Sequence, residues 1–135
     1  MKSPRARAVR LVEYALPGGW SVVAGRTDAG NDQLSLKMAG PHDWWFHVRG
    51  MPGSHVILRC AEDEDPDRDT LERAAAIAAY HSKARDAGIV SVSGTLARYV
   101  TKPRGAKSGA VQIRKERVFK VRPSLGGATP VEDSA

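Results

Sequence analysis

The sequence predicts a single-domain α+β protein, a mostly antiparallel sheet accompanied by one short and one long helix. Three observations predict it. Short β-prone runs separated by Pro-Gly and Gly-Gly turns occupy most of the chain. Only the stretch from Thr70 to Asp86 repeats its apolar residues at helical spacing over several turns. A length of 135 residues suffices for one domain with a modest core and is too short for two.

Taken in order, residues 1–8 read as a flexible basic N-terminus, residues 9–123 as the domain, and residues 124–135, rich in Gly, Ser, Ala, Thr and Pro, as a disordered tail. Val9, Leu11 and Glu13 alternate with Arg10 and Val12; after the turn Leu16-Pro17-Gly18-Gly19, the run Trp20 to Gly25 gives a second strand and hence a hairpin. A short helix is expected from Asp32 to Ala39, with Leu34 and Met38 on one face and Asn31 or Asp28 as its cap. Gly40-Pro41 breaks it. Asp43 to Arg59 reads as strand, turn, strand, and Glu62 to Asp67 as a solvated acidic loop lacking the ligand pattern of a calcium site. Asp67 or Asp69 caps the long helix, whose stripe Leu71, Ala74, Ala75, Ala78 and Ser82 lets it lie close against a sheet before Gly88 ends it. Ile89 to Val100 is a long strand, 101–109 a basic loop, and Ala110–Arg114 with Val118–Arg122 a closing hairpin.

The central strand separates two kinds of residue. Trp44, Phe46 and Val48 point one way, while Asp43, Trp45, His47 and Arg49 point the other. The second face admits several readings. Ser54 with His47 or His55 and Asp43 would make a hydrolytic triad, yet Pro-Gly-Ser-His lacks the flanking glycines of a nucleophile elbow. His42, His47 and His55 would make a metal site, but positions 42 and 47 lie on opposite faces of a strand and no cysteine joins them. A tryptophan beside a histidine and an arginine would also make a stacking surface for a nucleotide. The remaining reading is structural, with Trp45 packed against a neighbour and Asp43 paired with His47.

Charge narrows the choice of partner. The chain carries a formal net charge of +6, and the segment Arg98–Arg122 holds nine basic residues against the single acid Glu116. Such segregation points to a polyanion. Lys102, Arg104 and Lys107 sit on a Gly/Pro-constrained loop suited to a nucleic-acid backbone, although the glycine spacing of a phosphate-gripping P-loop is absent. Cys60 is the one cysteine, so no intramolecular disulfide forms. No run reaches signal-peptide character or the ~20 apolar residues of a membrane span. A cytoplasmic protein without membrane contact, metal or cofactor is expected.

The string Asp43-x-Trp45-x-His47-x-Arg49-Gly50-x-Pro52-Gly53-Ser54-His55-Val56 resembles the core motif of the NFACT-R family, the RNA-binding module of ribosome quality control factors that also occurs in stand-alone form. Gly25-Arg26 with Asn31, Asp32, Leu34, Lys37 and Ala39, the helix end Ala79–Arg85 and the loop Tyr99–Gly109 are similar to further family segments. The likeness runs from about Trp20 to Arg122. Ser108 stands where proline is usual, which loosens the loop without altering its charge.

The resemblance implies a shared polar surface. Arg26, Lys37, Trp45, His47, Arg49, Ser54, His55, Lys83, Arg85, Lys102, Arg104 and Lys107 are its expected RNA contacts, with Trp45 stacking on a base. Asn31, Asp32 and Asp43 are expected to orient them, the carboxylates holding Arg26, His47 or Arg49. The expected function is non-enzymatic recognition of structured RNA, tRNA or rRNA, with the large ribosomal subunit as a partner and any protein partner unspecified. Two alternatives stay open: an RNA-processing enzyme using His47 or His55 as general acid/base, and an adaptor binding an acidic protein.

Overall fold

The computed structural model describes residues 10–125 and 127–131. Strands β1 (Leu11–Leu16) and β2 (Trp20–Gly25) form the expected hairpin, and β2 passes to helix α1 (Asp28–Gln33). A π-helical turn, Leu34–Met38, continues it. Then come β3 (Trp44–Val48), β4 (Val56–Leu58) and the long helix α2 (Arg68–Tyr80). Strand β5 (Val90–Leu96), a 3-10 turn, β6 (Val100–Thr101), β7 (Gln112–Ile113), β8 (Arg117–Val121) and β9 (Thr129–Pro130) complete the chain. Seven strands pair antiparallel in the order β8-β5-β3-β4-β2-β1-β9, while β6 and β7 form a separate two-stranded sheet. This is the α+β architecture the turns and the single long helical stripe foretold.

The main core lies between the sheet and α2. Leu71, Ala74, Ala75, Ile77 and Ala78 of α2 pack with Phe46, Val22, Val56, Leu58 and Val92 of the sheet, and Trp44 is half-buried at the margin. Each fully buried side chain of this size contributes about 1.5–3 kcal/mol. Small residues matter at one place on the sheet. A Cβ on Gly94 would stand 2.7 Å from Phe119 and 2.9 Å from Phe46, so glycine there leaves room for the two rings to meet edge to face at 5.6 Å.

The opposite face is covered too. Trp45, Val23, Ile57, Leu34 and Val100 make a second buried cluster beneath the α1 region and the β6–β7 sheet. The alternation along β3 is therefore as expected, but its second face is a core in its own right.

Several boundaries differ from expectation, each for a local reason. The short helix starts at Asp28, because the Thr27 hydroxyl, rather than Asp28 or Asn31, caps it by accepting from Gly30 N at 2.9 Å. Asp67 caps α2, accepting from Thr70 N. That helix stops at Tyr80 instead of running to Asp86. The Ser82 hydroxyl donates to the Ala79 carbonyl at 2.7 Å, and residue 82 bridges to Gly53 of the Pro-Gly turn, which draws the chain out of helix. Strands β7 and β8 are not hairpin partners: β7 pairs with β6, while β8 joins the main sheet beside β5. The tail also departs from the expected disorder, since β9 pairs with β1 and Val131 N donates to the Glu13 carbonyl at 2.8 Å. Residues 1–9, which include the whole of the expected basic N-terminus, lie outside the described residues, as do 126 and 132–135.

Candidate nucleic-acid interface

A buried polar chain organises the motif face. The Trp45 indole N–H donates to the Ser35 hydroxyl at 3.0 Å, and that hydroxyl lies 2.8 Å from His55 Nδ1. One hydroxyl thus serves both the indole and the imidazole. Burial, with His47 nearby, pushes the His55 imidazole down to about 4, so it is neutral under ordinary conditions. Strand β3, the π turn and the residue leading into β4 are thereby linked through three side chains. Asn31 adds a fourth, accepting from His55 N at 2.9 Å through Oδ1 and donating to the Gly53 carbonyl at 3.3 Å. Gly25 makes room for it, because a Cβ there would lie 2.1 Å from Asn31 Oδ1.

These contacts revise the expected roles. Trp45 is 3% exposed and His55 2% exposed, so neither reaches RNA, and the stacking contact expected of Trp45 is not available. Its indole stacks instead near the His47 ring, 6.0 Å away, inside the second core. Asp43 does not hold Arg26, His47 or Arg49. Its carboxylate accepts from Gly40 N at 2.9 Å and Cys60 N at 2.7 Å and pairs with Arg59 at 3.3 Å. It ties the entry of β3 to the exit of β4.

Lys102 is also internal to the scaffold. Its ammonium donates to the Lys107 carbonyl at 2.6 Å and the Ala110 carbonyl at 3.0 Å, and pairs with Asp32 at 3.2 Å. A lysine offers three donors, and here all three are engaged. Asp32 thus has an orienting role, with Lys102 as its object. The loop closed in this way presents Arg104 and Lys107 to solvent.

The outward-facing residues gather around a cleft of about 430 Å³ lined by Arg26, Asn31, Pro52, Ser54, His81, Ser82, Lys83 and Arg85, among others. The bridge between Gly53 and Ser82, with Ser54 N donating to the His81 carbonyl at 3.3 Å, brings the Pro-Gly turn against the end of α2. Arg85 lies 3.9 Å over the Tyr80 ring and donates to the Tyr80 carbonyl, so its guanidinium is pre-oriented. His81 shares a 2.7 Å hydrogen bond with the Tyr14 hydroxyl; burial, together with the Arg26 and Arg85 charges, pushes its imidazole down to about 4. Three cations face this cleft with one carboxylate, Asp28, among its lining residues.

A second hollow of about 340 Å³ lies beyond His55, lined by His47, Arg49, Gly50, Ser93, Gly109 and Val111, among others. Arg49 pairs there with Glu116 at 3.3 Å, and Glu116 in turn accepts from the Ser93 hydroxyl. His47 is half-buried and its imidazole is pushed down by burial. His42, the third histidine of the metal reading, is instead engaged with Arg98 at 3.3 Å. Lys37 is exposed at the end of the π turn, remote from both hollows in their lining.

Sequence reasoning passed over Ser35, Tyr14 and Glu116. Ser35 had a signal: it stands four residues after Asn31, hence on the same helical face, among otherwise apolar neighbours. Tyr14 reaches His81 past the end of α2, Glu116 reaches Ser93 on β5, and no local spacing marks either.

Comparison with known proteins agrees with this architecture. The family described as the NFACT protein RNA binding domain matches residues 12–115. The Rqc2 homolog RqcH of Bacillus subtilis (strain 168) is 39% identical over 113 residues, 84% of this chain and 19% of that protein. The Rqc2 homolog RqcH of Streptococcus suis (strain 05ZYH33) is 36% identical over 110 residues, 82% of this chain and 20% of that one. The chain therefore spans about a fifth of the length of these curated relatives. A solved structure of the C-terminal part of the fibronectin/fibrinogen-binding protein from Streptococcus suis superposes with a TM-score of 0.79 at 34% identity, covering 85% of this chain and 46% of that one. With a family match over most of its described length and relatives above 30% identity, the chain belongs to the NFACT RNA-binding domain family.

Proposed function

We propose that this chain is a non-catalytic RNA-binding module that recognises structured RNA, tRNA or rRNA, in ribosome quality control in the cytoplasm, with the large ribosomal subunit as its setting. The observation that carries this reading is the convergence of Arg26, Lys83 and Arg85 on one cleft, with Arg104 and Lys107 presented by a loop locked to the same scaffold. Phosphate contacts of this kind supply affinity that falls steeply with salt. Relatives named as Rqc2 homologs support the ribosomal setting. The binding reading is favoured over catalysis because His55 is enclosed with its Nδ1 hydrogen-bonded to Ser35, and Asp43 is turned away from both histidines toward Arg59.

The test is anisotropy of a labelled bulk tRNA preparation and of labelled rRNA fragments with the full chain across a salt series. Arg26→Gln and Lys83→Gln are each expected to weaken binding and to reduce the slope of log K against log salt by about one. An affinity indifferent to salt overturns the reading. Cleavage of the RNA by wild type that disappears in His47→Ala would establish the enzymatic alternative instead. A partner retained after nuclease treatment would establish the adaptor.

A further inference from the structure

We propose that the turn joining β7 to β8 is a second RNA-backbone site, separate from the cleft, in which Arg98, Arg114 and Lys115 bind phosphates from around Tyr99. This rests on the RNA-binding reading above and extends it to a surface outside the family motif string.

Three cations surround one ring. The Arg98 and Arg114 guanidinium carbons lie 5.9 and 5.4 Å from the Tyr99 centroid, and the Lys115 ammonium lies at 5.3 Å. Arg117, beside them, lies 5.4 Å from the Trp44 ring. Among the described residues none of the four pairs with a carboxylate. A single cation would satisfy the ring quadrupole; the others add mutual repulsion, which an incoming anion relieves.

The platform is rigid. The Thr95 hydroxyl, on a residue buried in β5, lies 2.7 Å from the Arg114 carbonyl and 3.3 Å from the Lys115 carbonyl, and Arg114 N donates to the Tyr99 carbonyl at 3.1 Å. Arg98 is held by the Pro41 carbonyl and His42. Lys115 has φ +56°, the one positive φ on a non-glycine among the described residues. A residue bearing a side chain is disfavoured there, yet a lysine occupies the position.

The site is distinct from the cleft. Pro41, His42 and Trp44 mark the start of β3, whereas the Pro-Gly turn lies past its end, about 13 Å away at ~3.3 Å per residue. Phosphate rather than protein fits the turn. The Tyr99 ring is surrounded by three cations rather than by apolar side chains, and the exposed large apolar residues Met38, Ile89, Val118 and Val131 all lie outside residues 98, 99, 114 and 115, so what the turn offers a partner is concentrated positive charge. Two basic surfaces on one rigid domain would grip two segments of a folded RNA at once.

The experiment measures binding of labelled bulk tRNA and, separately, of labelled polyglutamate by the full chain over a salt series. Arg98→Gln/Arg114→Gln/Lys115→Gln should lower the slope of log K against log salt by about two to three, from three contacts at ~0.7–0.9 each. Lys115→Gly, which removes the charge and relieves the backbone, should bind more weakly while melting higher. A wild-type slope in the triple variant, with a reduced slope in Arg26→Gln/Lys83→Gln, overturns this site and leaves the cleft standing. Polyglutamate binding that is lost in the triple variant while tRNA affinity and its salt slope stay at wild-type values assigns the turn to an acidic protein and overturns it also. Absence of salt-dependent binding by wild type overturns the RNA-binding reading, and this inference with it.

Discussion

The Trp45 indole N–H donates to the Ser35 hydroxyl at 3.0 Å, fixing the most distinctive aromatic residue of the motif as an internal strut. Ser35 lies 2.8 Å from His55 as well, so one hydroxyl serves two buried partners. Ser35→Ala leaves both unsatisfied, each at about 1–3 kcal/mol. Urea denaturation should show a loss of about 2 kcal/mol or more, with faster exchange of the His55 amide, whose hydrogen bond Asn31 Oδ1 accepts in the folded state. A stability within 0.5 kcal/mol of wild type would contradict the network.

Lys102 and Lys107 should separate two effects. Because Lys102 is held by Asp32 and two loop carbonyls, Lys102→Ala should cost about 1 kcal/mol and broaden the NMR signals of residues 103–109. Lys107→Ala should leave stability unchanged and reduce the salt slope of RNA binding by about one. Equal effects of the two substitutions on stability would refute the division.

Acid should unfold the domain early. The folded His55 titrates at about 4 against an ordinary 6.5, so between those values the unfolded chain binds more protons than the folded one. Stability is then fully present above about pH 6.5, falls as pH drops, and levels below about 4. The loss is on the order of 3 kcal/mol from His55. His81, shifted the same way, deepens it. Thermal melts at pH 7.0, 5.5 and 4.5 check the trend, and His55→Gln should flatten it.

Cys60 should resist alkylation. Burial, with the Asp43 and Glu64 carboxylates, pushes its thiol up to about 11. Iodoacetamide at pH 7.5 should modify it far more slowly than a free cysteine, and the rate should rise in Asp43→Asn.

Gly25→Ala tests the fit of Asn31. The added Cβ would stand 2.1 Å from Asn31 Oδ1, so Asn31 must leave His55 N and the Gly53 carbonyl. The loss should be about 2–4 kcal/mol by chemical denaturation. It should exceed that of Gly105→Ala, where no atom lies within 4 Å and only the positive φ of +80° opposes a side chain.

What was legible in the sequence follows from range. The β2 bounds and the alternation of β3 depend on period-two patterning and turn residues, both local, and both appear as read. Asp67 as cap of α2 is equally local. The end of α2 was not, because residue 82 is drawn toward Gly53 by a bridge between residues 29 positions apart. The pairing of β7 with β6 likewise spans the basic loop and outcompetes the nearer strand. Within the candidate site, the residues expected on one surface divide between two hollows and the basic loop, with Lys37 lining neither hollow, and Trp45, His55, Asp43 and Lys102 are held inside the scaffold. A residue type signals what chemistry is possible; only burial and partners separate the wall from the surface.

The pairing of β9 with β1 brings the two ends of the described chain together, Val131 N reaching the Glu13 carbonyl beside the strand that begins at Leu11. Entry and exit thus share one margin of the sheet, on the flank away from β8. A domain closed in this manner is topologically portable. It can be set into a loop of a larger polypeptide, or cut elsewhere and joined across residues 10 and 131 by a few glycines, without disturbing the register of any interior strand.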